Sequence, residues 1–271
     1  MFKLRWPAGL VVVAALTACS EGGLTQTATH FNASRVKVHI ISRDLSQAIG
    51  ERGYAELIQS MSAEKRLVTQ VDVKRRVESI TRRLVRQAVA AYPFSQDWAW
   101  ELQVLEDEEI NAHCMPGGKM TLNTGLIALA EWNEHKLATV LGHEIAHALL
   151  EHGRVSISRG VVAMGTMQAV AQSFKMGQMR TNKLFEAMDT VTLPLDRQQE
   201  READLLGMQL MARAGFDPVQ GASFWVDMGA NEPMPRLAQR LVAYRGSHPS
   251  SAERLANLTE IARQLAAKPA R

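Results

Sequence analysis

LGHEIAHALLEHG, residues 141–153, is the stretch on which the fold turns. Leu141, Ile145, Ala146, Ala148, Leu149 and Leu150 are what a buried helix uses, yet His143, Glu144 and His147 stand among them. At 3.6 residues per turn, His143 and His147 lie one above the other on a single face, and Glu144 sits about 100° round the helix. Asn133-Glu134 supplies the opening signal for this helix and Gly153 the closing one.

Two imidazoles on one helix face can reach a single tetrahedral metal. Glu144 then stands beside the metal without ligating it, placed to take a proton from a water that the metal acidifies. This is the H-E-x-x-H arrangement of zinc hydrolases. The bland alternative, two satisfied core histidines with a chance glutamate, leaves the rest of the chain unexplained. A catalytic zinc needs a third protein ligand and an open fourth position. QQEREADLLGMQL (198–210) offers that ligand on a separate helix. Glu200 and Asp204 are four apart and share a face, whereas Glu202 points about 200° away from Glu200. The expected roles are Glu200 on zinc, with Glu202 as its rival, and Asp204 holding the free ring nitrogen of a ligand histidine. Leu205, Leu206, Met208 and Leu210 mark this as a core-packed helix, where an unpaired carboxylate is costly. One zinc per chain is expected.

Outward from these two helices, the periodicities predict helices over 44–61 and 70–91. In the second, Val71, Val77, Ile80, Leu84, Val85 and Ala88 form one stripe, with arginines opposite that read as a solvated face. WAWELQVLED (98–107) alternates as a half-buried strand does, and NAHCMPGGKMTLNTGL (111–126) reads as strand, Pro-Gly-Gly turn, strand and helix start. Further helices are predicted over 196–214, 218–229 and 250–266, with a mainly helical 155–193 whose methionines, concentrated in 161–190, read as core. His113 and Cys114 read as strand positions, and His152 as the end of its helix. The 271 residues, 46% hydrophobic and 22% charged, suit one ordinary folded domain.

The N-terminus reads separately. Lys3 and Arg5 precede an apolar 8–18 too short to span a bilayer, and Leu16-Thr17-Ala18-Cys19 resembles the lipobox of bacterial lipoprotein signal peptides. The expectation is a signal peptide over 1–18, a lipidated Cys19, a polar tether over 19–35 and a metallopeptidase domain over 36–271. Ser20 after the cysteine favours an outer-membrane lipoprotein facing the periplasm. Loss of Lys3 and Arg5 takes the formal charge from +3 to +1, so the basicity is a targeting feature and no nucleic-acid partner is expected.

HEIAH followed by EREAD resembles the gluzincin metallopeptidases that include the CAAX prenyl endopeptidases and the heat-shock protease HtpX, with the periplasmic BepA- and LoiP-type proteases as the nearest branch. NAHCMPGGKMTLNTGLI, LPLDRQQEREAD and SHPSSAER (247–254) are similar to further stretches of that family in the same order, over roughly 70–260. The resemblance implies an α+β, mainly helical zincin-like domain with a small sheet whose edge strand, taken as Lys119 to Asn123, borders the active-site cleft and holds extended substrate. It also gives His248 and Arg254 catalytic roles at the open zinc face, steadying an oxyanion, or for His248 filling the fourth position at rest. The implied activity is endoproteolysis of misfolded or misassembled envelope proteins, with Glu144 as base. Neither HtpX's membrane spans nor a repeat domain that recruits partners is expected here. Two other readings share the zinc motif. A chaperone with structural zinc would have no need of Glu144, and a cell-wall amidase would have none of a peptide-binding strand.

Overall fold

The computed structural model describes residues 39–161, 197–230, 248 and 252–267. The expected signal peptide, Cys19, the tether and nearly all of the methionine-rich segment lie outside the described residues. Two long helices come first. Helix α1 (Arg43–Ala63) starts at Ser42, whose side chain accepts from the Leu45 amide. Helix α2 (Val71–Ala91) buries Val77, Ile80, Leu84 and Ala88, but Val71 at its first turn is exposed, one turn before the stripe meets the core. Its arginines are not all a solvated face. Arg83 donates to the Ala214 carbonyl from Nε (3.1 Å) and Nη2 (2.7 Å), with its guanidinium 3.7 Å from the centre of the Phe216 ring.

Three strands, β1 (Glu101–Leu105), β2 (Ala112–Met115) and β3 (Lys119–Asn123), form a sheet in the order β1-β3-β2. β3 runs parallel to β1 and antiparallel to β2. This corrects the expected edge: Lys119–Asn123 is the central strand, paired on both sides. Hairpin and strand signals were readable, but the parallel docking of β1 on the far side of β3 leaves no local mark in sequence. Among the described residues the edge beside the cleft is β2. Gly117 and Gly118 make the connecting turn at φ 89° and 80°, a region that favours glycine.

Helix α3 (Thr124–Leu129) leads to α4 (Glu134–Leu149), which Asn133 caps by accepting from the His135 and Lys136 amides. α4 stops short of Gly153. Glu151 takes φ 59°, its carboxylate held by Arg43 and Arg154, and a new helix, α5 (152–161), begins. His152 therefore opens α5 instead of ending α4. Helix α6 (197–213) is followed by Gly215 at φ 79°, then by α7 (Pro218–Ala230) and α8 (Ala252–Ala266). α4 runs through the centre, packed on α2, β2 and α7. Leu137, Leu141 and Ile145 of α4 meet Met208 of α6 and Phe224 of α7 in one core. The architecture is α+β and mainly helical, as the motifs implied.

Candidate metal centre

Two glycines set the site. A Cβ on Gly207 would lie 2.7 Å from the His143 amide nitrogen and 2.8 Å from its Cα, and one on Gly142 would lie 2.9 Å from the Gly207 carbonyl oxygen. Helices α4 and α6 therefore cross backbone to backbone at His143. Asp204 and Glu200 precede Gly207 by three and seven residues, on the same helix face, so the crossing delivers both carboxylates to the histidines.

The donor atoms converge. His143 Nε2 lies 3.0 Å from His147 Nε2, 3.4 Å from Glu200 Oε2 and 3.3 Å from His248 Nδ1. Glu200 Oε1 is 3.2 Å from His147 Nε2 and 3.1 Å from His248 Nδ1. A tetrahedral zinc with bonds of about 2.0–2.1 Å has ligand-to-ligand edges of roughly 3.3–3.4 Å, close to all five separations. The donor set of three imidazoles and a carboxylate fits zinc. His248 stands fourth in this group, one of the two places that the resemblance gave it.

The two helix histidines are backed differently. His143 Nδ1 is 3.0 Å from Asp204 Oδ1, close enough for charge pairing but too bent for a well-formed hydrogen bond. Asp204 accepts from Arg254 Nε and Nη2, both at 2.8 Å, and Arg254 Nη1 reaches Glu200 Oε2 at 2.9 Å. The guanidinium sits 4.8 Å from the centre of the Trp225 ring. Arg254 thus pairs with both buried carboxylates, and its Nη2 also stands 3.4 Å from His143 Nε2. Its planar fork matches carboxylate geometry, and it is itself buried. On the other side, His147 Nδ1 meets His152 Nδ1 at 2.9 Å, and His152 Nε2 meets Glu202 Oε2 at 3.3 Å. Glu202, the rival ligand, stands two groups back from the metal position.

Electrostatics follow from this packing. Burial disfavours the charged form of His143, but its contacts with Asp204 and Glu200 outweigh that and raise its pKa to about 9. Burial also pushes Glu200 and Asp204 upward, and the imidazole of His143 more than reverses it, holding both below the usual carboxylate range. His147 is lowered by burial and by the neighbouring charge of His143. Burial pushes the Cys114 thiol well above its ordinary value, in keeping with an inert cysteine.

Glu144 is buried beside the donors, off the cluster that His143, His147, Glu200 and His248 form. Among the described residues its Oε1 accepts no hydrogen bond, and His248 Nε2 stands 3.4 Å from it. The cleft in front is lined by His113, Met115, Glu144, His147, Gln199 and His248 among others. Sequence reasoning missed the placement of two residues, His113 on the cleft wall and His152 behind His147. Only the histidine-glycine pair just after the H-E-x-x-H helix hinted at the second.

The model of peptidase family M48 matches residues 72–262. The mitochondrial metalloendopeptidase OMA1 of Schizosaccharomyces pombe is 28% identical over 249 residues, covering 90% of this chain and 70% of that protein. The human mitochondrial metalloendopeptidase OMA1 is 30% identical over 175 residues, 60% of this chain and 32% of its own. The beta-barrel assembly-enhancing protease of Escherichia coli is 27% identical over 170 residues, 60% of this chain and 34% of its own. The chain thus spans about a third of the last two. These likenesses support the family and do not single out the BepA and LoiP branch.

Proposed function

The chain belongs to peptidase family M48 and is a metalloendopeptidase, and from that premise we propose that zinc is its metal and that it degrades misfolded or misassembled proteins of a bacterial envelope as an outer-membrane lipoprotein. The observation that carries the reaction is the convergence of His143 Nε2, His147 Nε2 and Glu200 beside a buried Glu144 oxygen that accepts no hydrogen bond among the described residues. His143, His147 and Glu200 would hold the ion. When bound, zinc supplies Lewis-acid polarisation and makes a neighbouring water acidic near neutral pH.

The chain's own groups do the rest. Glu144 takes the proton of the attacking water and later hands it to the leaving amine. Strand β2, an edge of the sheet among the described residues, offers its outer main-chain groups to an extended polypeptide, which would be held with little dependence on sequence. Asp204 and Arg254 keep the imidazole of His143 and the carboxylate of Glu200 in place. The ring of His248 must leave the fourth corner for water to enter.

The location rests on the N-terminal residues Lys3, Arg5 and Leu16-Thr17-Ala18-Cys19. No helix among the described residues is long and apolar enough to cross a membrane. Two experiments test the reading. Casein digestion by wild type should be abolished by a chelator, and Glu144→Gln should keep its zinc while losing about 100-fold or more of the rate. Undiminished cleavage by Glu144→Gln overturns the mechanism. Cys19→Ser should release the protein from the membrane fraction, and equal palmitate labelling of both forms overturns the anchor.

A further inference from the structure

The cleft contains a second set of donors. His113 on β2, Glu144 and His248 each offer one ligand atom within 4.8 Å of the other two, and this set shares only His248 with the first. We propose that His113, Glu144 and His248 Nε2 form a second site for a zinc-type divalent cation, whose filling silences the peptidase by occupying its general base.

Three observations carry this. The Glu144 carboxylate is buried and its Oε1 accepts no hydrogen bond among the described residues, a costly state that a cation would relieve. His248 presents opposite nitrogens to the two centres: Nδ1 is 3.1 Å from Glu200 Oε1, and Nε2 is 3.4 Å from Glu144 Oε1. With the proton on Nδ1, the ring donates to Glu200 and turns the Nε2 lone pair toward Glu144 and His113, the carboxylate-imidazole-metal arrangement. With the proton on Nε2, the Nδ1 lone pair faces the first centre instead. With His143, His147 and Glu200 holding the first ion, His248 is left to serve the second site. Finally, the backbone of His113 is fixed by its pairing with Thr121, so its imidazole hangs from a rigid strand.

Two imidazoles and one carboxylate with room for solvent make a zinc donor set. A Glu144 oxygen engaged by a cation cannot accept a proton from water, so cleavage stops. The silencing rests on the proposed peptidase reaction; the binding does not.

The test is calorimetric titration of ZnCl2 into the full protein already carrying one zinc, with peptide cleavage followed over the same range. Wild type should take up a second, weaker equivalent, and its rate should fall in step and return when the excess is chelated. His113→Leu and His113→Phe should keep the first zinc and their melting temperature. Loss of a residue that merely supports a ligand weakens metal binding about 10–100-fold, which sets the floor for losing a ligand itself. The inhibition curve, scaled to each variant's own rate without excess zinc, should shift by the same factor. A wild type that binds one equivalent only, or variants that bind the second as tightly as wild type, overturns the site. Two bound zincs without any cleavage would sink the peptidase reading and leave this site standing.

Discussion

His143 and His147 sit one turn apart on the same helix and point at the same place, yet the protein supports them in opposite ways. The His143 flank is dry and charged: its side chain is 1% exposed, Asp204 lies against Nδ1, and Arg254 grips both Asp204 and Glu200. The His147 flank is wetter, with that side chain 15% exposed and backed by His152 and then Glu202. A buried charge cluster fixes geometry but is unforgiving when one member is lost. A chain of imidazole contacts that ends at the partly exposed Glu202 tolerates loss better, because water can replace a missing partner.

The largest effect should follow from cutting the dry flank at its cation. Arg254→Ala leaves two buried carboxylates without their guanidinium and should cost about 3–5 kcal/mol in denaturant unfolding of the zinc-stripped protein. A loss below about 1 kcal/mol would mean that the flank is not a buried charge cluster at all.

Acid and base should separate the flanks next. The pKa of His143 is raised from 6.5 to about 9, so its proton is bound more tightly in the folded protein than in the unfolded chain. The stability this adds is fully present below about 6.5 and is lost as pH rises through about 9. The melting temperature of zinc-stripped protein should fall across that window. Zinc must displace the same proton, so zinc affinity should climb there by up to about tenfold per pH unit. Parallel slopes for stability and zinc affinity would contradict the assignment.

Smaller effects rank the supporting groups. Asp204→Asn should weaken zinc binding toward the upper end of the roughly 10–100-fold range for groups that support a ligand, and His152→Leu toward the lower end. Glu202→Gln, two groups back and partly exposed, should change affinity least and leave the zinc in place. Equal losses for Asp204→Asn and His152→Leu would erase the contrast between the flanks.

The same contrast separates what was legible in the sequence from what was not. Most of the dry flank, and His147 with it, lies on helices α4 and α6, where spacing alone fixes which residues share a face. His143, His147, Glu200 and Asp204 could therefore be read directly, together with the spans of α1, α2 and α7. Contacts made by chain reversal or strand order leave no periodic trace. The φ of Glu151 turns His152 back onto His147, and the parallel docking of β1 puts β3 in the middle of the sheet and β2, with His113, at the cleft. Arg254 was noticed through its neighbourhood, but its part in the dry flank depends on α8 lying beside α7 and Trp225. Gly207 was present in the quoted helix, yet its importance appears only when its Cβ position falls on the backbone of His143.

The central claim is that one zinc is bound by His143, His147 and Glu200 while Glu144 stays off the metal. Crystals of the purified protein, measured on both sides of the zinc absorption edge, test it most directly. The account predicts an anomalous peak at about 2.0–2.2 Å from His143 Nε2, His147 Nε2 and one Glu200 oxygen, with Glu144 outside bonding distance. A peak ligated by Glu202 or Glu144 in place of Glu200, or no peak between the two histidines, would contradict it.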